Sequence, residues 1–202
     1  MSPHFDPDTE LDQILAEVRE MLTIEEDAGD LDELVVLQML LQVTRELHET
    51  SNIHDLITNV LDSAIAFTGG ERAFVMLLEE ESASPRFKMG RDEDGNYLKH
   101  EDFSPSLGVI QQVLDEQHTI IVPDTRVDET LNKRESIVEG SLRTIMCSPL
   151  MIKRRIVGLL YIDSTHQTQL PFTGRSYINF LASLADQSAV AIHNAQKFET
   201  LT

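Results

Sequence analysis

The chain has 202 residues, 41% hydrophobic and 25% charged, enough to bury the core of one ordinary domain. It carries 35 Asp and Glu against 16 Lys and Arg, a formal charge of −19, and such a field repels phosphate backbones and anionic lipid, so neither nucleic acid nor a membrane is an expected partner. The single cysteine, Cys147, excludes an internal disulfide framework and a multi-cysteine zinc site; no apolar run approaches the ~20 residues of a bilayer span, and no basic-then-apolar leader is seen, so a cytoplasmic location is expected.

Residues 1–33 hold −11 of the charge, with Arg19 as their one basic residue. Within them Leu11, Ile14, Leu15, Val18 and Leu22 recur at helical spacing behind Asp8 and Thr9, which predicts an acidic amphipathic helix over about 9–23. Residues 1–30 are thus set apart as an acidic helical extension, and residues 31–202 as the folded domain with its flanking helices.

A longer helix is expected over 31–50. Its Val36, Leu40, Val43 and Leu47 are spaced 4, 3, 4, and Leu34, Leu37 and Leu41 form a second apolar edge. A third helix, about 53–68, ends at Gly69-Gly70. The period then changes. Residues 72–80 and, more weakly, 86–89 read as strands, with a turn at 92–96. Ser104-Pro105 opens a helix over about 106–116. Residues 119–122 form a short strand, and 125–140 an irregular stretch. Residues 143–152 and 156–163 are two strands joined by Lys153-Arg154-Arg155, with Val157, Leu159 and Tyr161 expected on one face and Ile156, Gly158, Leu160 and Ile162 on the other. A final helix is expected over 173–202. This order describes an α+β domain, one mixed sheet flanked by helices.

No catalytic constellation emerges. None of the seven histidines forms an H-x-x-x-H or H-E-x-x-H pair, and neither a P-loop nor a nucleophile elbow is present. Cys147 lies in the apolar run Ile145-Met146-Cys147-Ser148, the setting of a core cysteine. No catalytic residue, metal ligand or required cofactor is assigned.

The segment SIVEGSLRTIMCSPLMIKRRIVGLLYIDS, residues 136–164, followed by Pro171-Phe172-Thr173 and a helix closing on Ala189-Val190-Ala191-Ile192-His193-Asn194-Ala195-Gln196, resembles the second half of a GAF domain. Upstream, Ser106-Leu107-Gly108-Val109-Ile110 and Ile121-Val122-Pro123-Asp124 resemble that family's central helix and following strand. The finer pattern is most similar to GAF domains that precede adenylate cyclases, PP2C-type phosphatases or sigma-factor-dependent activators.

The resemblance implies a PAS-related antiparallel sheet of about six strands, helices on one face and a ligand-type cavity on the other. It also implies a sensory or regulatory role, with a signalling output domain or partner, rather than an enzyme. The positions of the Asn-Lys…Phe-x-x-x-Asp-Glu signature of cyclic-nucleotide GAF domains are Asp163, Ser164, Phe172, Ser176 and Tyr177, which keep the Phe alone. That argues against a cyclic nucleotide and leaves the ligand open, or absent. A ligand is expected near Tyr97, Ser106, Leu107, Gly108, Asp124, Asp128, Arg143 and Thr144, with Arg143 as the anchor for an anionic group. A parallel homodimer is expected from surplus apolar surface at Val36, Leu40, Val43 and Leu47, and at Ile178, Leu181, Ala185 and Ile192 of the last helix.

Overall fold

The computed structural model describes residues 37, 41, 52–78, 84–126, 142–166 and 175–201. The expected helix over 9–23, nearly all of that over 31–50, and Asp128 lie outside the described residues. Leu37 and Leu41 are helical, and both are exposed.

Helix α1, Ile53–Thr68, begins where the Asn52 side chain accepts the His54 N–H at 2.8 Å, satisfying one of the donors a helix start leaves free. It stops at Gly69, whose φ of 65° is the left-handed conformation glycine adopts without steric cost. Leu56, Ile57, Val60, Leu61 and Ala64 form its buried stripe.

The chain continues through β1 (Arg72–Leu78), β2 (Pro85–Asp92), the two-residue strand β3 (Tyr97–Leu98) and a single 3-10 turn, His100–Asp102. Helix α2, Leu107–Glu116, is followed by β4 (Ile120–Val122), β5 (Thr144–Ile152), β6 (Arg155–Ser164) and helix α3, Arg175–Leu201. The six strands form one sheet of order β3-β2-β1-β6-β5-β4, and every neighbouring pair is antiparallel.

Each face of the sheet has its own core. On one, α1 and α3 pack against Ala73, Val75, Met146, Leu150, Leu160 and Ile162. On the other, α2 covers Phe74, Met76, Ile145, Cys147, Leu159 and Tyr161. The expectation that both faces of the β5–β6 hairpin are covered is met.

Its face assignment needs one correction. Leu150 pairs with Gly158 but Met151 pairs with Ile156, so Val157 is an extra residue and the strand bulges there. Val157 therefore packs with Leu160 and Ile162, and Ile156 with Leu159 and Tyr161, the reverse of simple alternation. At Gly158 a β-carbon would collide with the Met76 carbonyl of β1, so this strand pair closes only on glycine.

The last helix is corrected too. Leu181, Ala185 and Ile192 belong to the core shared with α1 and the sheet, each 1% exposed or less. They are not an open seam for a second copy. Of the four residues expected there, Ile178 alone is exposed, at 42%.

Candidate functional site

The candidate site is the α2-covered face of the sheet, and its floor is aromatic. Phe74 of β1 lies 4.4 Å from Phe103, centroid to centroid, and Phe103 meets Tyr161 of β6 edge-on at 5.8 Å. Phe87 of β2 completes the group. Tyr161 and Phe74 are fully buried.

Ser106 ties this floor to α2. It is the helix N-cap, its side chain accepting from the Val109 N–H at 3.5 Å, and its own N–H donates to the Tyr161 hydroxyl at 3.0 Å. Burial, and then the nearby Asp163 carboxylate, hold the Tyr161 phenol well above its ordinary range. The phenol therefore keeps its proton, and among the described residues nothing accepts it.

At the β4–β5 end, Arg143 grips Asp124 through two hydrogen bonds, 3.1 and 2.6 Å, with both side chains largely buried. Thr125 donates its N–H to the Arg143 carbonyl and its hydroxyl to that of Leu142. Thr144 is buried and donates to the carbonyls of Pro123 and His166.

The structure thus brings together Asp124, Arg143 and Thr144, and separately joins Ser106 to the floor. Arg143, expected as an anchor for an anionic group, is engaged by the domain's own carboxylate, Asp124. Leu107 and Gly108 lie on the outer flank of α2, where with Gln111, Gln112, Asp115 and Glu116 they line an open depression of about 590 Å³; Leu107 is 71% exposed. Tyr97 lies on the opposite side of the sheet, its hydroxyl 3.1 Å from Thr58 of α1 and its ring under the Arg91 guanidinium at 4.6 Å. The residues that sequence reasoning did not single out are Tyr161, Phe74 and Phe103. Phe103 did carry a signal, as an isolated aromatic in the polar stretch His100–Pro105.

Cys147 is fully buried and its thiol is pushed up by desolvation, the opposite of a reactive cysteine. Among the described residues no group of three His, Cys, Asp or Glu is placed to hold a metal ion, and no helix is long and apolar enough to cross a membrane.

The described domain is thus an α+β unit whose six-stranded antiparallel sheet carries α1 and α3 on one face and the capped helix α2 over an aromatic floor on the other. Residues 52–192 match the GAF domain family, and the chain belongs to that family. Such domains are typically regulatory modules of signalling proteins rather than catalysts; they commonly bind small ligands and are linked to output domains. No curated protein matches the chain.

Solved structures share the fold. The GAF domain of a phosphoenolpyruvate-protein phosphotransferase from Coxiella burnetii is 16% identical, with a TM-score of 0.63 over 83% of this chain and 98% of that one. A free methionine-R-sulfoxide reductase from Neisseria meningitidis is 16% identical, TM-score 0.61, over 86% and 97%. The GAF domain of a two-component sensor histidine kinase from Bacillus halodurans is 23% identical, TM-score 0.53, over 74% and 99%.

Proposed function

We propose that this domain is a regulatory sensor that holds a small, mostly apolar molecule against the aromatic floor and passes its state to a helical dimer and an output domain. One observation carries the ligand: the fully buried Tyr161 hydroxyl, whose proton has no acceptor among the described residues. A buried donor left unmade costs about 1–3 kcal/mol, and a ligand oxygen or ring nitrogen would relieve that. The flat faces of Phe74, Phe103 and Tyr161 favour a planar or aliphatic body, and among the described residues the nearby Arg72 and Arg143 are already paired with carboxylates of the domain. Occupancy would act on α2 through the Ser106–Tyr161 bond, and on α3 through β6, whose two faces carry the two cores.

A second reading, a relay unit without ligand, is favoured by how closed the described floor already is, with Phe74, Leu142, Ile145 and Tyr161 all 2% exposed or less. A metabolite panel screened by thermal shift separates the two. A ligand should raise the melting temperature of the wild-type chain, and Tyr161→Phe should weaken that shift about tenfold in midpoint concentration. If no compound shifts the wild type while self-association persists, the relay reading replaces this one.

A further inference from the structure

The sheet is left uncovered at one corner. β4 pairs with β5 only from Ile145 to Cys147, so from Ser148 to Ile152 the outer edge of β5 has no strand beside it among the described residues. Between that edge and α3 runs a groove of about 400 Å³. Pro149, Met151 and Ile178 give it apolar walls, and its two hydroxyls, Thr119 and Ser148, satisfy each other at 2.6 Å. Arg154 borders it from the hairpin turn and Asp186 from α3.

The hairpin turn that borders this groove carries the one run of three consecutive exposed cations among the described residues, whereas Lys88, Arg126 and Lys197 are exposed singly. Arg72, Arg91 and Arg143 are each bidentate to a carboxylate of the domain itself. Lys153, Arg154 and Arg155 are three consecutive exposed cations, and none of their side chains has an ion-pair partner among the described residues. In a chain of −19, a patch of three cations left out of internal pairing selects an acidic occupant.

The edge also selects the occupant's shape. Pro149 removes a backbone donor from the uncovered stretch, which weakens strand addition there. A helix with one apolar stripe suits a groove with apolar walls better. The sequence holds a segment with that spacing: Leu11, Ile14, Leu15, Val18 and Leu22 recur at helical intervals, with Glu10, Asp12, Glu17 and Glu20 between them. Its one cation, Arg19, matches the one carboxylate of the groove, Asp186. Residues 24–51 separate it from α1, a tether of about 40 Å even at helical rise.

We infer that the basic turn and the β5–α3 groove dock the chain's own acidic N-terminal segment, residues 9–23, as an amphipathic helix. This docking is independent of any ligand on the opposite face. It lays an acidic strap across the first turns of α3.

The test is amide hydrogen exchange on the full chain. Exchange of residues 9–23 should be slowed about tenfold or more relative to the K153E/R154E/R155E variant. Lys153 and Arg154 already hold φ of 47° and 67°, so reversal to Glu changes the charge and leaves the turn's backbone cost nearly unchanged. About 1 M salt, where the Debye length falls to ~3 Å, should speed that exchange in the wild type alone. A carbodiimide should join Lys153 to an acid of residues 9–23 within one chain. Arg19→Glu and Asp186→Arg should each loosen the segment, and the two together should restore its protection. Exchange that is equally fast in wild type and triple variant, protection that survives the triple variant, or cross-links found only between chains would each overturn the docking.

Discussion

Arg72 and Asp163 are partners across the β1–β6 pair, and their side chains are joined by hydrogen bonds of 2.8 and 2.9 Å. The Asp163 side chain is fully buried, while that of Arg72 is 27% exposed. Arg72 also donates to the Asp102 carbonyl at 3.2 Å and lies over the Phe74 ring. One guanidinium thus holds two strands and the chain entering α2. Burial raises the Asp163 carboxyl above its ordinary value, and Arg72 pulls it the other way, so the pair is held together against a desolvation cost.

That balance makes the single and double replacements differ. Asp163→Asn leaves the guanidinium facing a neutral amide and should cost about 3–5 kcal/mol. Arg72→Met with Asp163→Leu removes both charges and should cost less than the single change. Urea unfolding measures both. An Asp163→Asn midpoint equal to that of the wild type would show that the pair contributes nothing.

Glu71 gives the domain an acid-sensitive clamp. Burial works to raise its carboxyl, but the Thr165 N–H and hydroxyl, together with His166, hold it below the ordinary carboxylate value. A carboxyl lowered on folding stabilises the fold fully above its unfolded value, and that contribution fades as pH falls through the folded value. Above about pH 5.5, where the carboxylate is ionised in both states, wild type should therefore melt at a higher temperature than Glu71→Gln. The margin should close below about pH 4.5, as followed by melting temperature. A margin that widens with acid would reverse the assignment.

How far the sequence could be read follows from where each signal resides. The β5–β6 hairpin was legible to within a residue at each outer end, because two apolar runs flank a basic turn. Strand β3 was not, since two residues carry no alternation. The Val157 bulge left no mark in an uninterrupted apolar run. Leu181, Ala185 and Ile192 fit a helix–helix seam, but the same spacing serves a helix that packs on its own sheet, and periodicity does not say which surface it meets. The Arg143–Asp124 pair has no local sequence signal, because Asp124 reaches Arg143 only through the β4–β5 pairing. Tyr161 lay in plain view within a strand, but its bond to Ser106, 55 positions away, has no sequence signal.

Cys147 provides a probe of the buried core. With the thiol fully buried and its ionisation suppressed by desolvation, a disulfide reagent at pH 8 should find no reactive thiol in the native chain and one after denaturation in guanidinium. The native rate should follow global opening and rise in Asp163→Asn in proportion to its lost stability. Rapid labelling of the native chain would place the thiol at an accessible surface.

Self-association should rest on the apolar surface the core does not use. Val190 on α3 is 52% exposed, Leu37 52% and Leu41 45%. Covering a half-exposed Leu or Val gains roughly half of the ~1.5–3 kcal/mol for full burial. Six such side chains in a dimer then supply about 5–9 kcal/mol, against an association cost of about 4–15 kcal/mol. The dimer is therefore expected to be concentration-dependent rather than permanent. A charge of −19 on each chain opposes it, so raising salt should strengthen pairing by screening that repulsion. The basic-turn docking should respond in the opposite sense. Sedimentation equilibrium should show the monomer–dimer midpoint moving to lower concentration between about 0.05 and 0.5 M salt. Val190→Asp with Leu41→Asp should yield a folded monomer whose melting temperature no longer depends on protein concentration. Ala185→Asp should instead unfold the chain, because its side chain lies in the core. A wild-type chain that stays monomeric at about 100 µM in high salt, where roughly −5.5 kcal/mol would suffice to pair it, would leave these exposed residues without a partner copy.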